Sequence, residues 1–389
     1  MKIGFQIEYL DPARGGAETY VYRFAEELLA GGHEVHLFAG GFGKAPEGAV
    51  THRVLRRGLS RWERDLRFAR TADRAARRAR LDVVVAVGRT FGASILQPHG
   101  GTYLGTRRQN LLLIRSAAGR ALKEIFDALN PKVLTSKHIE ARQFAAEPPP
   151  EVVAISRMVR QDMKKFYDVP DERLHLVYNG VDIERFSPDV CRAKRKEARR
   201  RFGLSEDETC FLIVAHNFRL KGVRELVEAA SMLRSPYRHR RVLVAGRANP
   251  RPYQRLAERL GCAEAFQFVG PLADVVPAYA AADVYVQPTW YDPCSLVVLE
   301  AMACGRPVVT TRFNGASELM HNGGDGFILD SPDDLNGLAD AMGRLLDPDL
   351  RVQMGSAARR TAEAHPIERN FREMAEVFNR VAARKEAGE

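Results

Sequence analysis

The chain alternates short apolar runs with amphipathic helical stretches, and it does so twice over. KIGFQI, EVHLFAG, LDVVVAVG, SILQPHG and EVVAIS, rich in Val, Ile and Phe, are separated by stretches such as ETYVYRFAEELLAGG. The rhythm restarts as CFLIVAHN, RRVLVAGR, AFQFVG, DVYVQPT, RPVVTT and GFILD, with stretches such as KGVRELVEAASMLR between. Apolar strands joined through helices belong to parallel sheets covered on both faces. The sequence therefore predicts an α/β chain of two doubly wound, Rossmann-like domains, and its 389 residues are enough for both. Asn179-Gly180 and Pro188 interrupt the pattern, which places the domains at 1–172 and 173–366. A last helix, 367–389, has no strand after it and is free to pack back on the first domain. The run RAKRKEARRR at 192–201 reads as a solvated helix leading into the second sheet.

Ligands of such sheets bind outside the carboxyl ends of the strands, so the default site is a cleft between two of them and candidate residues fall just after strands. Composition adds a charge: 59 Lys+Arg against 49 Asp+Glu, a formal +10. Residues 1–170 hold 28 and 18 of these, whereas residues 171–389 hold 31 and 31. Eleven Arg lie within 51–80, where Arg61 and Arg64 fall on a basic amphipathic helix around Trp62, Leu66 and Phe68. Arg107, Arg108, Arg115, Arg120 and Lys123 bracket the apolar LLLI at 111–114. Such faces attract anionic phosphate on a membrane, a lipid head group or a nucleic acid, or are simply Arg-rich solvated surface; charge alone leaves both open.

Other chemistries find little support. The five cysteines, Cys191, Cys210, Cys262, Cys294 and Cys304, show no CxxC spacing and suit a reducing cytoplasm. Glu8 and Asp11 break the opening run before a signal-peptide core is complete, and no run approaches the roughly 20 apolar residues of a membrane span. There is no HExxH, paired CxxC or Asp-x-Asp at a strand end, so no metal site is expected; Asp333-Asp334 reads as a helix N-cap. A Ser-His-Asp set lacks the GxSxG elbow.

The strongest local signal is QPTWYDPCSLVVLEAMACGRPVVTT. A strand gives way to a loop with Asp292 and Pro293, a helix beginning near Cys294-Ser295, a Gly305 cap and another strand. The amides of Ser295, Leu296 and Val297 would then be unpaired donors at a positive dipole end, a ready diphosphate site. Asp292 and Glu300 flank that end at a span of about 10 Å, from a helical rise of ~1.5 Å per residue. That spacing suits a sugar nucleotide laid across the helix tip.

With these residues the chain resembles glycosyltransferase family 4, the retaining, sugar-nucleotide-dependent transferases of GT-B fold. The family carries Glu-x7-Glu here, followed by Ala-Met-Ala-x-Gly-x-Pro-Val-Val, which Glu300-Ala-Met-Ala-Cys-Gly-Arg-Pro-Val-Val reproduces. The likeness extends to Gly15-Gly16-Ala-Glu, His99-Gly-Gly, the NGVD string at 179–182, Lys221-Gly222 and Asn314-Gly-Ala-x-Glu318. It implies that Glu300 binds the ribose and that Asp292, one methylene shorter than the family's first Glu, contacts donor-sugar hydroxyls. It also implies that His99 lies against the donor sugar near its reacting carbon, and that the Gly270-Pro271-Leu272 loop packs by the base. The family's Arg five residues before the Lys is His216 here, so Arg219 is the inferred substitute, holding the phosphates with Lys221 without a metal. The alternative reading of Arg219 and Lys221 is an ordinary surface pair. Gly15 and Gly16 open a helix where backbone can approach a phosphate or acceptor sugar, or make a plain tight turn.

The resemblance implies an acceptor domain followed by a donor domain, which gives the charge asymmetry a meaning. The expected activity is retaining transfer of a hexose, glucose from UDP-glucose, to a phosphorylated or lipid-linked glycan acceptor of the cell envelope, as in transferases of the lipopolysaccharide core. Arg61, Arg64, Arg107 and Arg108 are the expected acceptor or membrane face of a cytoplasmic protein peripheral on an anionic membrane. No cofactor, metal or nucleic acid partner is expected. Two other readings remain: an inactive phosphate- or nucleic-acid-binding protein on this scaffold, and a nucleotide-sugar epimerase.

Overall fold

The computed structural model describes residues 1–114, 116–233 and 240–387; Arg115, Arg234 at the end of KGVRELVEAASMLR, and the last two residues lie outside them. The chain forms two compact units, Met1–Val177 with Phe371–Glu389, and Tyr178–Asn370.

The first unit is built on β1 (Lys2–Ile7), β2 (Glu34–Ala39), β3 (Val50–Arg53), β4 (Val83–Ala86), β5 (Ile95–Leu96), β6 (Glu151–Ala154) and β7 (Leu174–Leu176). They pair in parallel in the order β3-β2-β1-β4-β5-β6-β7. Its helices are α1 (Gly16–Ala30), α2 (Arg61–Ala79), α3 (Tyr103–Leu112), α4 (Ala117–Ala128), α5 (Pro131–Phe144) and α6 (Arg157–Tyr167). β3 and β7 escape the apolar-run reading because both are short edge strands and β3 is largely exposed. α2 starts on a capping box, in which Ser60 accepts from the Glu63 N–H and the Glu63 side chain reciprocates.

The second unit holds β8 (Thr209–Val214), β9 (Arg240–Ala245), β10 (Phe266–Gly270), β11 (Val284–Gln287), β12 (Val308–Thr311) and β13 (Gly326–Leu329), all parallel, in the order β10-β9-β8-β11-β12-β13. Around it lie α7 (Pro188–Arg201), α8 (Val223–Met232), α9 (Arg251–Arg259), α10 (Val276–Ala281), α11 (Leu296–Ala303), α12 (Leu335–Arg344) and α13 (Pro348–Glu363). In this doubly wound order the direction of winding reverses at β8 and β11, which opens a crevice at their carboxyl ends.

One element differs from the sequence reading. α7 is not simply solvated. Arg199 is buried and donates to the carbonyls of Ala281 (3.0 Å) and Glu208 (2.6 Å), and Arg195 pairs with Asp283 at 2.7 Å. The basic run therefore fastens α7 to the rest of its unit. The last helix, α14 (Ile367–Glu386), contributes Phe371 onward to the first unit. There Phe371 stacks on Phe24 at 4.6 Å between centroids, and Phe378 packs against both Phe24 and Phe5.

Candidate active site

The second unit's site begins where β11 ends. Its buried Val-Tyr-Val run closes on Gln287, and a loop leads to Ser295, the N-cap of α11. Ser295 makes no side-chain cap; its hydroxyl donates to Gln287 Oε1 at 3.2 Å. One expectation is corrected here. The Ser295 amide is not a free donor, because it binds Asn314 Oδ1 at 3.2 Å. Asn314 is fully buried, also accepts from the Ala316 N–H, and donates to Thr310 Oγ1, so it clasps the end of β12 to the start of α11. Among the described residues the amides of Leu296 and Val297 have no partner. With the positive end of the helix dipole they form an anion-seeking tip.

Lys221 and Asp292 meet at this tip. Lys221 Nζ lies 2.5 Å from Asp292 Oδ2 and 3.2 Å from the Tyr291 carbonyl. Gln287 Nε2 donates to the same Oδ2 at 2.9 Å. Both charged side chains are mostly buried. The backbone sets this meeting: Leu220 O accepts from the Trp290 N–H (2.9 Å) and the Thr289 hydroxyl (3.0 Å). Gly222, at φ +78°, is needed because a Cβ there would stand 2.0 Å from Pro288 O. Asp292 is pinned in turn by its own N–H on Phe313 O and by the Gly315 N–H on its carbonyl.

Glu300 lies on α11, its Oε2 2.8 Å from the Tyr279 hydroxyl. Burial, reinforced by the Glu300 carboxylate, holds the Tyr279 phenol well above its ordinary pKa. Arg219 is exposed after β8, and Arg247, which the sequence reading passed over, is exposed after β9. Partial burial lowers the His216 pKa, and the Arg247 and Lys221 charges add to the effect. A cationic surface of Arg219, Lys221 and Arg247 thus lies along the carboxyl ends of β8 and β9. Gly270 closes β10 at φ +72°, with half-buried Leu272 in the loop beyond it. Gln287 was also missed, though a polar residue ending an apolar strand just before the Asp292 loop is a visible signal.

Gly15, Gly16 and His99 belong to the first unit. Gly15 caps α1 in extended backbone and Gly16 begins it, which places Tyr20 of α1 with its ring 4.5 Å from that of His99. The Tyr20 hydroxyl accepts from Gln97 Nε2 at 3.2 Å. His99 Nε2 is enclosed and has no partner among the described residues; burial lowers the pKa to about 4, so the imidazole is neutral near pH 7. Beside it, Gly100, Gly101, Arg89, Tyr103, Glu8 and Glu140 line a cavity of about 280 Å³. Arg107 is taken up by a 3.3 Å bond to buried Asp127, and Arg64 by the Gly58 carbonyl, whereas Arg61 and Arg108 are exposed. Among the described residues no group of three or more His, Cys, Asp and Glu is placed to hold a metal, and no helix is long and apolar enough to cross a membrane.

Residues 14–185 match the family model described as Glycosyltransferase Family 4, and residues 209–348 the one described as Glycosyl transferases group 1. The two models together account for most of the chain, and both describe glycosyltransferases. Its fold is GT-B: the crystal structure of WaaG, a glycosyltransferase involved in lipopolysaccharide biosynthesis, superposes with a TM-score of 0.84 over 97% of this chain and 99% of that one, at 21% identity. Anabaena HepE in complex with UDP and glucose superposes at 0.72, covering 97% and 99% at 18% identity. Among curated relatives, the D-inositol 3-phosphate glycosyltransferase of Corynebacterium urealyticum is 34% identical over 58% of this chain and 56% of its own length. Lipopolysaccharide glucosyltransferase WaaG of Escherichia coli is 28% identical over 53% and 56%. The chain spans about half the length of the curated relatives it matches.

Proposed function

We propose that the protein transfers a hexose, glucose from UDP-glucose, to a hydroxyl of an envelope glycan or glycolipid, with retention of anomeric configuration and without a metal. The observation that carries this reading is the Lys221-Asp292-Gln287 cluster beside the free amides of α11. A diphosphate at that tip meets the Leu296 and Val297 N–H groups, with Lys221, Arg219 and Arg247 to offset its charge as it departs. Asp292, held by two donors through Oδ2, is placed to receive a donor-sugar hydroxyl, and Glu300 to receive the ribose. His99, neutral and with Nε2 unpaired, is suited to hydrogen bonding with a sugar without adding a charge. The donor choice draws support from HepE, solved with UDP and glucose, and from the glucosyltransferase WaaG.

The acceptor is proposed to meet the first unit at a cytoplasmic, anionic membrane surface. A second acceptor reading, a soluble polyol phosphate, is favoured by the D-inositol 3-phosphate glycosyltransferases among the relatives. The test is a donor and acceptor panel in EDTA, read by nucleotide release and by NMR of the product's anomeric proton. Transfer from UDP-glucose with the α-configuration kept and activity undiminished by EDTA is expected. Isomerised free nucleotide sugar would mark an epimerase, and no release from any donor would end the transferase reading.

A further inference from the structure

The first unit holds another cavity, at the edge of its sheet away from His99. Asp82, Ser94, Glu151 and Arg173 stand at the amino ends of β4, β5, β6 and β7. With the end of α2 and the last turns of α14 they line a space of about 580 Å³. The chemistry described above lies at carboxyl ends of strands, so this cavity is separate from it. Its lining holds five Arg or Lys against three Asp or Glu. Glu151, buried, accepts from Arg384, lies 3.6 Å from Arg173 and meets His175 Nε2 at 2.8 Å. Arg77 pairs with Asp73 at 2.8 Å, Asp82 accepts the Lys2 N–H at 2.7 Å, and Glu147 is exposed. Among the described residues Lys385 donates only to the Leu81 carbonyl, at 2.6 Å, and the Arg80 guanidinium has no partner. The bond to Leu81 brings the Lys385 ammonium to the residue next to Arg80. Between the charges the walls are apolar, with Ala76, Leu81 and Val381 buried.

The backbone at Arg80 points the same way. Arg80 ends α2 at φ 51° and ψ 54°, the left-handed conformation that favours glycine at a helix end. The other non-glycine residue at positive φ among the described residues is Asp168, whose short polar side chain suits it. A long cation kept in a glycine conformation is a local cost with no local return, which marks a functional position. Two cations without a carboxylate match the charge of a phosphate monoester near pH 7, about −1.5 to −2. A guanidinium fork and an ammonium suit its oxygens, and the volume falls within the roughly 300–1,000 Å³ of small-molecule sites. We propose that this cavity binds a small organic phosphate, with the phosphate at Arg80 and Lys385 and the apolar body on Leu81 and Val381. Such a ligand ties the last turn of α14 to the end of α2. The site is independent of the transferase reading.

The test titrates the full chain with 1-naphthyl phosphate, inorganic phosphate and 1-naphthol, by calorimetry and thermal melting, for wild type, Arg80→Gly and Lys221→Ala. Wild type is expected to bind 1-naphthyl phosphate saturably, with a raised Tm, at least about tenfold more tightly than phosphate or naphthol alone. Arg80→Gly is expected to keep or raise the Tm of the unliganded protein, because glycine fits the backbone there, yet to weaken binding at least about tenfold. A merely structural Arg80 would show no such opposition. Lys221→Ala should bind as wild type does, which separates this cavity from the α11 tip. Hydrogen exchange over residues 378–386 should slow with 1-naphthyl phosphate in wild type and not in Arg80→Gly. Absence of saturable binding, equal affinity for naphthol or for phosphate, or undiminished binding by Arg80→Gly would overturn the site. So would binding that Lys221→Ala abolishes and Arg80→Gly spares.

Discussion

At the scale of single residues the site turns on Lys221. Its ammonium offsets a mostly buried carboxylate in the free protein and is placed to meet a diphosphate in the proposed complex. Lys221→Ala is expected to slow transfer about 100-fold or more. It should also cost about 1–3 kcal/mol in urea unfolding, because Asp292 keeps its burial and loses its partner. Glu300→Ala is expected to weaken UDP binding about tenfold, with a smaller effect on kcat. His99 supplies a pH prediction. The unfolded chain takes up a proton near the ordinary histidine pKa of about 6.5, while the folded residue does not until about 4. Stability of the first unit should therefore fall as pH drops through that window, by on the order of 3 kcal/mol, and His99→Gln should flatten the fall in acid-unfolding curves. The positions of Lys221 and Asp292 in loops after strands, and of Glu300 on the following helix, were legible in the sequence, whereas their expected ligand roles came from the family resemblance. The engagement of the Ser295 amide was not, because its acceptor lies 19 residues on, at Asn314.

At the scale of elements, most strands and the principal helices follow from apolar periodicity. β3 and β7 do not, since edge strands need no continuous apolar run, and the partners of α7 are carbonyls that no local pattern announces. Gly222 shows a turn serving chemistry. Gly222→Ala places a methyl on Pro288 O and asks a non-glycine residue to hold φ +78°, so it should separate Lys221 from Asp292. The expected result is a loss of transfer approaching that of Lys221→Ala, with a lowered Tm. α14 was legible as a helix free to pack back on the first unit, but the aromatic pairing between residues 24 and 371 that holds it there has no local signature. Phe378 is fully buried, and Phe378→Ala should cost about 3–5 kcal/mol, read as a lowered unfolding midpoint.

At the scale of the molecule, two doubly wound sheets of matching strand order divide the chain, and the excess charge belongs to residues 1–170. The fold and the family could be read from repeated rhythm and a few strings. The cavity at the amino ends of the first sheet's strands could not, since its cations lie as far apart in the chain as Arg77 and Lys385. The central claim is that the tip of α11, with Lys221 and Asp292, receives the diphosphate of a UDP-hexose. Calorimetric titration of UDP in EDTA into wild type, Lys221→Ala and Glu300→Ala tests it most directly. The account predicts saturable 1:1 binding to wild type and at least about tenfold weaker binding to each variant. Wild type that binds no UDP, or variants that bind it as tightly as wild type, would contradict it.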